Sequence, residues 1–286
     1  MSKAGTAREE AWYLLEVAAI TGFLISQPVL DIFGRSPETF ISRGADRSQV
    51  IAFAIAVAAV PALAVWAITF AARLAGRSRR RITHVAALGV LAGLLAARLG
   101  YDALGSARVA AAALGVIASI CMVMLYARTT WARTYLRVAS AAPLAFATIF
   151  LVASPTADLV LGGTVKAADV EVPDAAPSIL FIVLDQFPTA SLLDGEGHID
   201  ADLFPSFARL AETSTWYRNN TTVAPWTNLA VPAIVTGTLP VADDTAATAS
   251  NFPRSIFTLL GGSYDLNVSG TGGTDLPCDT LRFRTG

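Results

Sequence analysis

The chain has 286 residues, 54% hydrophobic and 15% charged, with a mean hydropathy of +0.54, which excludes an ordinary soluble domain. Its formal net charge of −1 hides a division: residues 1–158 carry 15 Lys and Arg against 8 Asp and Glu, and residues 159–286 carry 6 against 14. Two differently solvated regions are implied, and the acidic one is excluded as a partner for nucleic acid. In chain order, Lys3 and Arg8 precede an apolar stretch too long for a cleavable signal and without a small-residue cleavage site, so it is expected to be retained. A bilayer core takes roughly 20 apolar residues per helix. Five segments qualify: Trp12–Phe33, Val50–Ala75, Ile82–Leu99, Val109–Ala127 and Val138–Leu161. The first carries Glu16 and Gln27-Pro28.

Arg77, Arg79, Arg80 and Arg81 lie between the second and third segments, and Arg128, Arg133 and Arg137 between the fourth and fifth. The positive-inside rule places both loops, and with them Lys3 and Arg8, in the cytoplasm. The expected localisation is an integral plasma-membrane protein with its N-terminus cytoplasmic and its second half extracytoplasmic. The loop holding Arg35, Arg43 and Arg47 then falls outside, against the rule. Within the spans, Glu16 is expected to face another helix and Asp31 to sit at the interface, a functional role for either being the less favoured reading. His84, near the start of its span, is expected at the interface. The two cysteines, Cys121 in an apolar run and Cys278 in the second half, give no disulfide framework.

Residues 162–177, rich in Ala, Gly, Pro and acids, read as a linker between a transmembrane domain (1–161) and a second domain (178–286). Ile179 to Leu184 is an unbroken apolar run, expected to be a strand buried on both faces, and it ends at Asp185. Functional groups cluster at the carboxyl ends of such strands, although, taken alone, an acid that caps the next turn is the favoured reading. The stretch 204–212 reads as a short helix with Pro205 in its first turn, and Thr215–Val223 as a strand. The segment 227–237 reads as a helix with Thr227 near its N-terminus and Gly237 just past its end. A hydroxyl there sits at the positive end of the helix dipole, suited to attack on a phosphate or sulfate; taken alone, an N-cap is the simpler reading. Ser255–Leu260 and Tyr264–Val268 complete the pattern as a helix and a strand, giving an α/β layered domain.

Three stretches, Ile179–Asp185, Phe204–Ala211 and Thr227–Gly237, resemble in order and spacing the alkaline phosphatase and sulfatase superfamily. The second is similar to the family's Pro-Asn-Phe-x-x-Leu-Ala, and the third to Cys/Ser-x-Pro-x-Arg-x-x-Leu-x-Thr-Gly, with Thr227 at the nucleophile position and Thr236-Gly237 closing it. Five spans followed by such a domain also resemble the lipoteichoic acid synthases and phosphoethanolamine transferases. The resemblance implies a membrane-anchored, metal-dependent phosphotransferase or hydrolase acting on a phospho- or sulfo-ester of an envelope lipid or polymer. Asp185 would be a metal ligand, and Thr227 both nucleophile and metal-coordinated hydroxyl. The cofactor would be a divalent ion: zinc, manganese or calcium.

This sequence departs from the pattern. Gln186 replaces the family's second acid, Val231 replaces the arginine, and Thr cannot give the formylglycine aldehyde of sulfatases. These changes favour phosphoryl transfer over the alternative of a sulfuric ester hydrolase. No His follows Thr227, whereas the family draws further ligands from downstream Asp-His and His positions; His198 precedes Thr227 and is expected in a surface loop. The expectation is therefore a truncated α/β domain holding the first part of the catalytic fold, inactive by itself, with a non-enzymatic membrane protein as the further alternative.

Overall fold

The computed structural model describes residues 3–104, 107–163, 165–168, 170, 171, 173, 175–184, 186–240 and 245–268. The chain divides into two units, residues 1–163 with 244–251 and residues 164–243 with 252–286.

The first unit is helical. Helix α1 (Lys3–Thr21) runs through a π-helical turn, Gly22–Ser26, into α2 (Gln27–Gly34), and the short α3 (Glu38–Ile41) follows. Next come α4 (Arg47–Ala71), prolonged by a 3-10 turn at Ala72–Ala75, then α5 (Arg77–Leu104) and α6 (Arg108–Arg128). Helices α7 (Trp131–Ala139) and α8 (Ala142–Ala153) lead to the four-residue α9 (Asp158–Leu161). Five stretches, Ala7–Gly34, Arg47–Ala75, Arg77–Leu104, Arg108–Arg128 and Trp131–Ala153, are long and apolar enough to cross a membrane, and the chain is a membrane protein. Ile55, Val60, Ile68, Val109, Val116 and Ile117 are all more than half exposed, as side chains facing lipid would be.

The first four stretches overrun the expected segments because backbone hydrogen bonding continues past the apolar residues into the charged ends. The fifth is displaced: the expected Val138–Leu161 becomes Trp131–Ala153. Pro155 explains where it stops. A residue before proline is pushed out of the helical region, and Ser154 is extended at φ −91° and ψ 162°.

Helix α4 is started by a reciprocal cap. The Asp46 carboxylate accepts from Gln49 N at 2.9 Å, and Gln49 Oε1 accepts from Asp46 N at 3.1 Å. The Ser48 hydroxyl, and after it the Gln49 amide, hold the Asp46 carboxyl below the usual carboxylate range. Its stabilising contribution is thus present above the ordinary carboxylate pKa and is lost as pH falls through the lowered value.

Pro28 and Pro61 sit inside the first and second spans, and each deprives the carbonyl four residues earlier of its donor. Pro28 strands the carbonyl of Leu24, which accepts from Arg98 Nη1 of α5 at 3.3 Å. Pro61 strands that of Val57, which accepts from the Ser26 hydroxyl at 2.9 Å. The π-turn of the first span thereby repairs the gap in α4. Ser26→Ala is expected to cost about 1 kcal/mol. In a Pro61→Ala background, where residue 61 regains an N–H for Val57, the same change should cost much less. Denaturant unfolding of the four proteins in one detergent checks this, and additive effects would refute the repair.

Helices α5 and α6 pack on small residues. A Cβ at Gly93 would lie 2.8 Å from the Gly115 carbonyl oxygen, and one at Gly115 would lie 2.8 Å from the Gly93 oxygen and 2.9 Å from Ala97 Cβ. Such an approach between membrane helices is open only to residues without side-chain bulk. A separate aromatic core joins α2, α3, α4 and α8: Phe53 lies 5.0 Å from Phe33, 5.3 Å from Phe40 and 6.0 Å from Phe150, between ring centroids. Residues 245–251 belong to this unit, with Ala246, Ala247 and Ala249 buried and Asn251 Nδ2 donating to Asp158 Oδ2 at 2.8 Å.

The second unit contains α10 (Pro205–Thr213), α11 (Thr227–Thr236) and α12 (Ile256–Leu260), at the places the sequence indicates. Pro205 occupies the first turn of α10, and Ser255 caps α12 in a reciprocal box with Thr258. The expected strands do not form. Among the described residues there is no β-strand, only an isolated antiparallel bridge between Leu193 and Ile199. Ile179–Leu184, expected to be buried on both faces, is instead non-helical, unpaired chain with Leu180 85% and Ile182 65% exposed. Thr215–Val223 and Tyr264–Val268 also lack strand pairing. A strand exists only through its neighbours, and no described segment lies alongside to take its hydrogen bonds. The α/β layering is therefore not formed among the described residues.

Candidate functional site

Asp185, the expected metal ligand, lies outside the described residues, but the chain on both sides of it is described. Gln186, next to it, has φ 57° and is the sole non-glycine residue with positive φ among those described. That left-handed conformation is costly for a side chain with a Cβ and concentrates at turns and functional positions. Phe187 then packs against Phe204 and Phe207, with centroids 6.1 and 5.9 Å away. The start of α10 is thus fastened to the turn that follows Asp185, which brings two of the three motif stretches together.

Thr227 is the first residue of α11, half-buried, and follows an extended Trp226. The Trp226 carbonyl accepts from Leu229 N at 3.1 Å and Ala230 N at 2.9 Å, closing the first turn. The helix ends at Gly237, whose φ of 67° is the left-handed closing conformation. The threonine hydroxyl therefore stands at the positive end of a ten-residue helix.

His198 does occupy a surface loop, with its side chain 73% exposed. The loop is closed by Asp194, whose Oδ1 accepts from the amides of Glu196 and His198, both at 2.9 Å. The His198 amide foremost holds the Asp194 carboxyl below the usual range. Among the described residues, no three His, Cys, Asp or Glu side chains gather as a metal group. Thr227 and Asp185 would together offer two oxygen donors, where zinc takes four and calcium more. The described residues do not by themselves fit the ion.

The polar site that the structure does assemble lies inside the helical bundle. Glu16 is completely buried. Its Oε2 accepts from Tyr126 Oη at 2.6 Å and faces His84 Nε2 at 3.0 Å, and its Oε1 accepts from Arg137 Nε at 3.1 Å. The expectation that Glu16 faces another helix is met by three partners, from α5, α6 and α7. His84 corrects its expectation: it is a fully buried core residue, stacked on Tyr13 at 4.1 Å. Its Nδ1 finds no hydrogen-bond partner among the described residues. Arg80, expected in a loop, is in α5 and 3% exposed, paired with Glu10 at 2.7 Å and lying over the Tyr13 ring at 4.7 Å. Asp31 pairs with Arg35 at 2.8 Å on the exposed surface.

Sequence reasoning located Glu16 and His84 but not their meeting. The signal was present: a carboxylate inside an apolar span needs donors, and the third and fourth spans each carry one, at His84 and Tyr126. The fold and site together define a class, a polytopic membrane protein whose bundle is tied by a buried carboxylate. No family model matches the chain, and neither the curated proteins nor the solved structures give a match.

Proposed function

We propose that this chain comprises the membrane anchor and the beginning of the catalytic domain of a phosphotransferase or hydrolase of the alkaline phosphatase and sulfatase superfamily. Its substrate would be a phosphate ester of a cell-envelope lipid or polymer. The anchor would lie in the plasma membrane with its N-terminus cytoplasmic and the second unit outside. The observation that carries the reading is Thr227 as the opening residue of a helix closed by a left-handed Gly237, set in the motif order that begins before Asp185. Two further features support it: the strained Gln186 beside Asp185, and the phenylalanine cluster binding that turn to α10. The exposed apolar run Ile179–Leu184 also has the composition of a strand awaiting a sheet.

In the proposed reaction, a bond forms from Thr227 Oγ1 to phosphorus as the bond to the leaving alcohol breaks. The alcohol departs with the proton that the threonine gives up. The helix end favours the anionic phosphoryl group next to the hydroxyl. A divalent ion, held in part by Asp185 and Thr227, would add charge stabilisation; these two donors alone are too few to hold it. The reading therefore requires ligands beyond those in these residues, and the absence of a ligand group among the described residues favours a non-enzymatic membrane protein as the second reading.

The gene read beyond the codon for Gly286 is expected to supply an Asp-His pair and a further His in one frame. A chain carrying them should take the phosphoryl group of a labelled phosphatidic acid, a phosphomonoester donor, onto Thr227, seen as phosphothreonine by mass spectrometry. Thr227→Ala should then lose roughly 1,000-fold or more in turnover. A stop codon with no such residues in any frame would leave the non-enzymatic reading standing.

A further inference from the structure

At the end of the bundle where α1 begins, a cavity of about 440 Å3 opens beside the Glu16 cluster. Four arginines line it: Arg8 from α1, Arg81 from α5, and Arg133 and Arg137 from α7. Glu9 is the one acid in the lining, and it accepts from Tyr13 Oη at 3.0 Å. Glu16 lies behind Arg137, and Glu10 is already paired with Arg73 and Arg80, so positive charge is in excess. Two of the guanidinium groups are held in place by rings. Arg137 lies over Trp12 at 4.4 Å, and Arg133 lies over Tyr126 at 4.9 Å while donating to the Tyr126 carbonyl at 3.0 Å. Arg8 and Arg81 form no ion pair among the described residues. Oriented arginines with N–H groups to spare are suited to the oxygens of a phosphate.

The depth of the cavity indicates which phosphate. Its lining lies where four helices exchange charged for apolar sequence, at Arg8 before Trp12, Arg81 before Ile82, Tyr126 before Arg128, and Arg137 before Val138. Trp12 and Tyr13 form part of its wall, and Trp131 and Tyr135 on α7 are 60% and 62% exposed. Aromatic side chains in such positions mark the headgroup level of a bilayer, where basic pockets between helices take anionic headgroups. We propose that this cavity binds the phosphate of an anionic membrane lipid of the phosphatidylglycerol type. The site lies in the first unit and uses no residue of the proposed phosphoryl transfer, so either proposal can fail alone.

Native mass spectrometry of the whole chain in mild detergent tests it, with phosphatidylglycerol, phosphatidylcholine and glycerol phosphate as probes. Phosphatidylglycerol is expected to be retained over phosphatidylcholine by on the order of tenfold. The double variant Arg8→Gln with Arg81→Gln should remove most of that preference. Arg81→Gln alone should reduce it by roughly fivefold and serves if the double variant does not fold. Arg43→Gln with Arg47→Gln, outside the cavity lining, should leave it unchanged. No preference between the two lipids, or a preference indifferent to Arg8 and Arg81, would overturn the site. Displacement of the lipid by millimolar glycerol phosphate, with the same arginine dependence, would overturn the lipid assignment in favour of a soluble phosphate.

Discussion

Glu16→Ala should lower the stability of the membrane unit by about 3 kcal/mol, because it removes the acceptor on which three helices converge. The buried bonds dominate this figure. Tyr126 at 2.6 Å and His84 at 3.0 Å donate to an oxygen of a fully buried side chain, and each would be left a buried donor without an acceptor. Arg137 contributes less, since its side chain is 36% exposed and solvent can take over part of its charge. Hydrogen bonds between membrane helices average only about 0.6 kcal/mol each, so the larger part of the expected loss is the desolvation of abandoned partners. Glu16→Gln keeps one carbonyl oxygen as acceptor and should cost roughly half as much. Denaturant unfolding in a fixed detergent measures both, with Val109→Ala, 85% exposed on α6, as a neutral reference. A Glu16→Ala protein within about 0.5 kcal/mol of the parent would show that the cluster does not organise the bundle.

Gly115→Leu should part α5 from α6 and cost at least about 3 kcal/mol, more than the 1–3 typical of overpacking by a methylene. The obstacle is backbone. The first added carbon would meet the Gly93 carbonyl oxygen at 2.8 Å, and a carbonyl within a helix cannot swing aside as a flexible side-chain tip can. Gly93 meets the Gly115 oxygen at the same distance, so Gly93→Ala should already be destabilising and should not rescue Gly115→Leu. Disulfide crosslinking supplies the readout: cysteines placed on facing turns of α5 and α6 should oxidise rapidly in the parent and slowly in Gly115→Leu. Unchanged crosslinking and stability would rule out the close approach as a determinant of the pair.

What the sequence by itself determined about this protein is the membrane half in outline, since a span is a local property of about 20 consecutive side chains. All five spans were legible from hydropathy, as were α10, α11 and α12 with the help of Pro205, Gly237 and Ser255, whose helix-end chemistry acts within one turn. The end of the fifth span was misplaced because hydropathy continues past Pro155 while the backbone cannot. The strands of the second half were readable only as apolar runs, and apolarity shows what a segment would bury, never which segment will pair with it. Asp185 and Thr227 are in the same position: the roles proposed for them rest on a resemblance, a ligand set is a meeting of distant residues, and the described residues do not bring one about. Only the tertiary structure decided that Glu16, His84, Tyr126 and Arg137, spread over 121 positions, share one buried site. It also decided that Ser26 answers the carbonyl freed by Pro61, and that four arginines from three helices surround one cavity. Each of these contacts joins residues whose separation in sequence carries no information about their distance in space, so helix packing had to settle them.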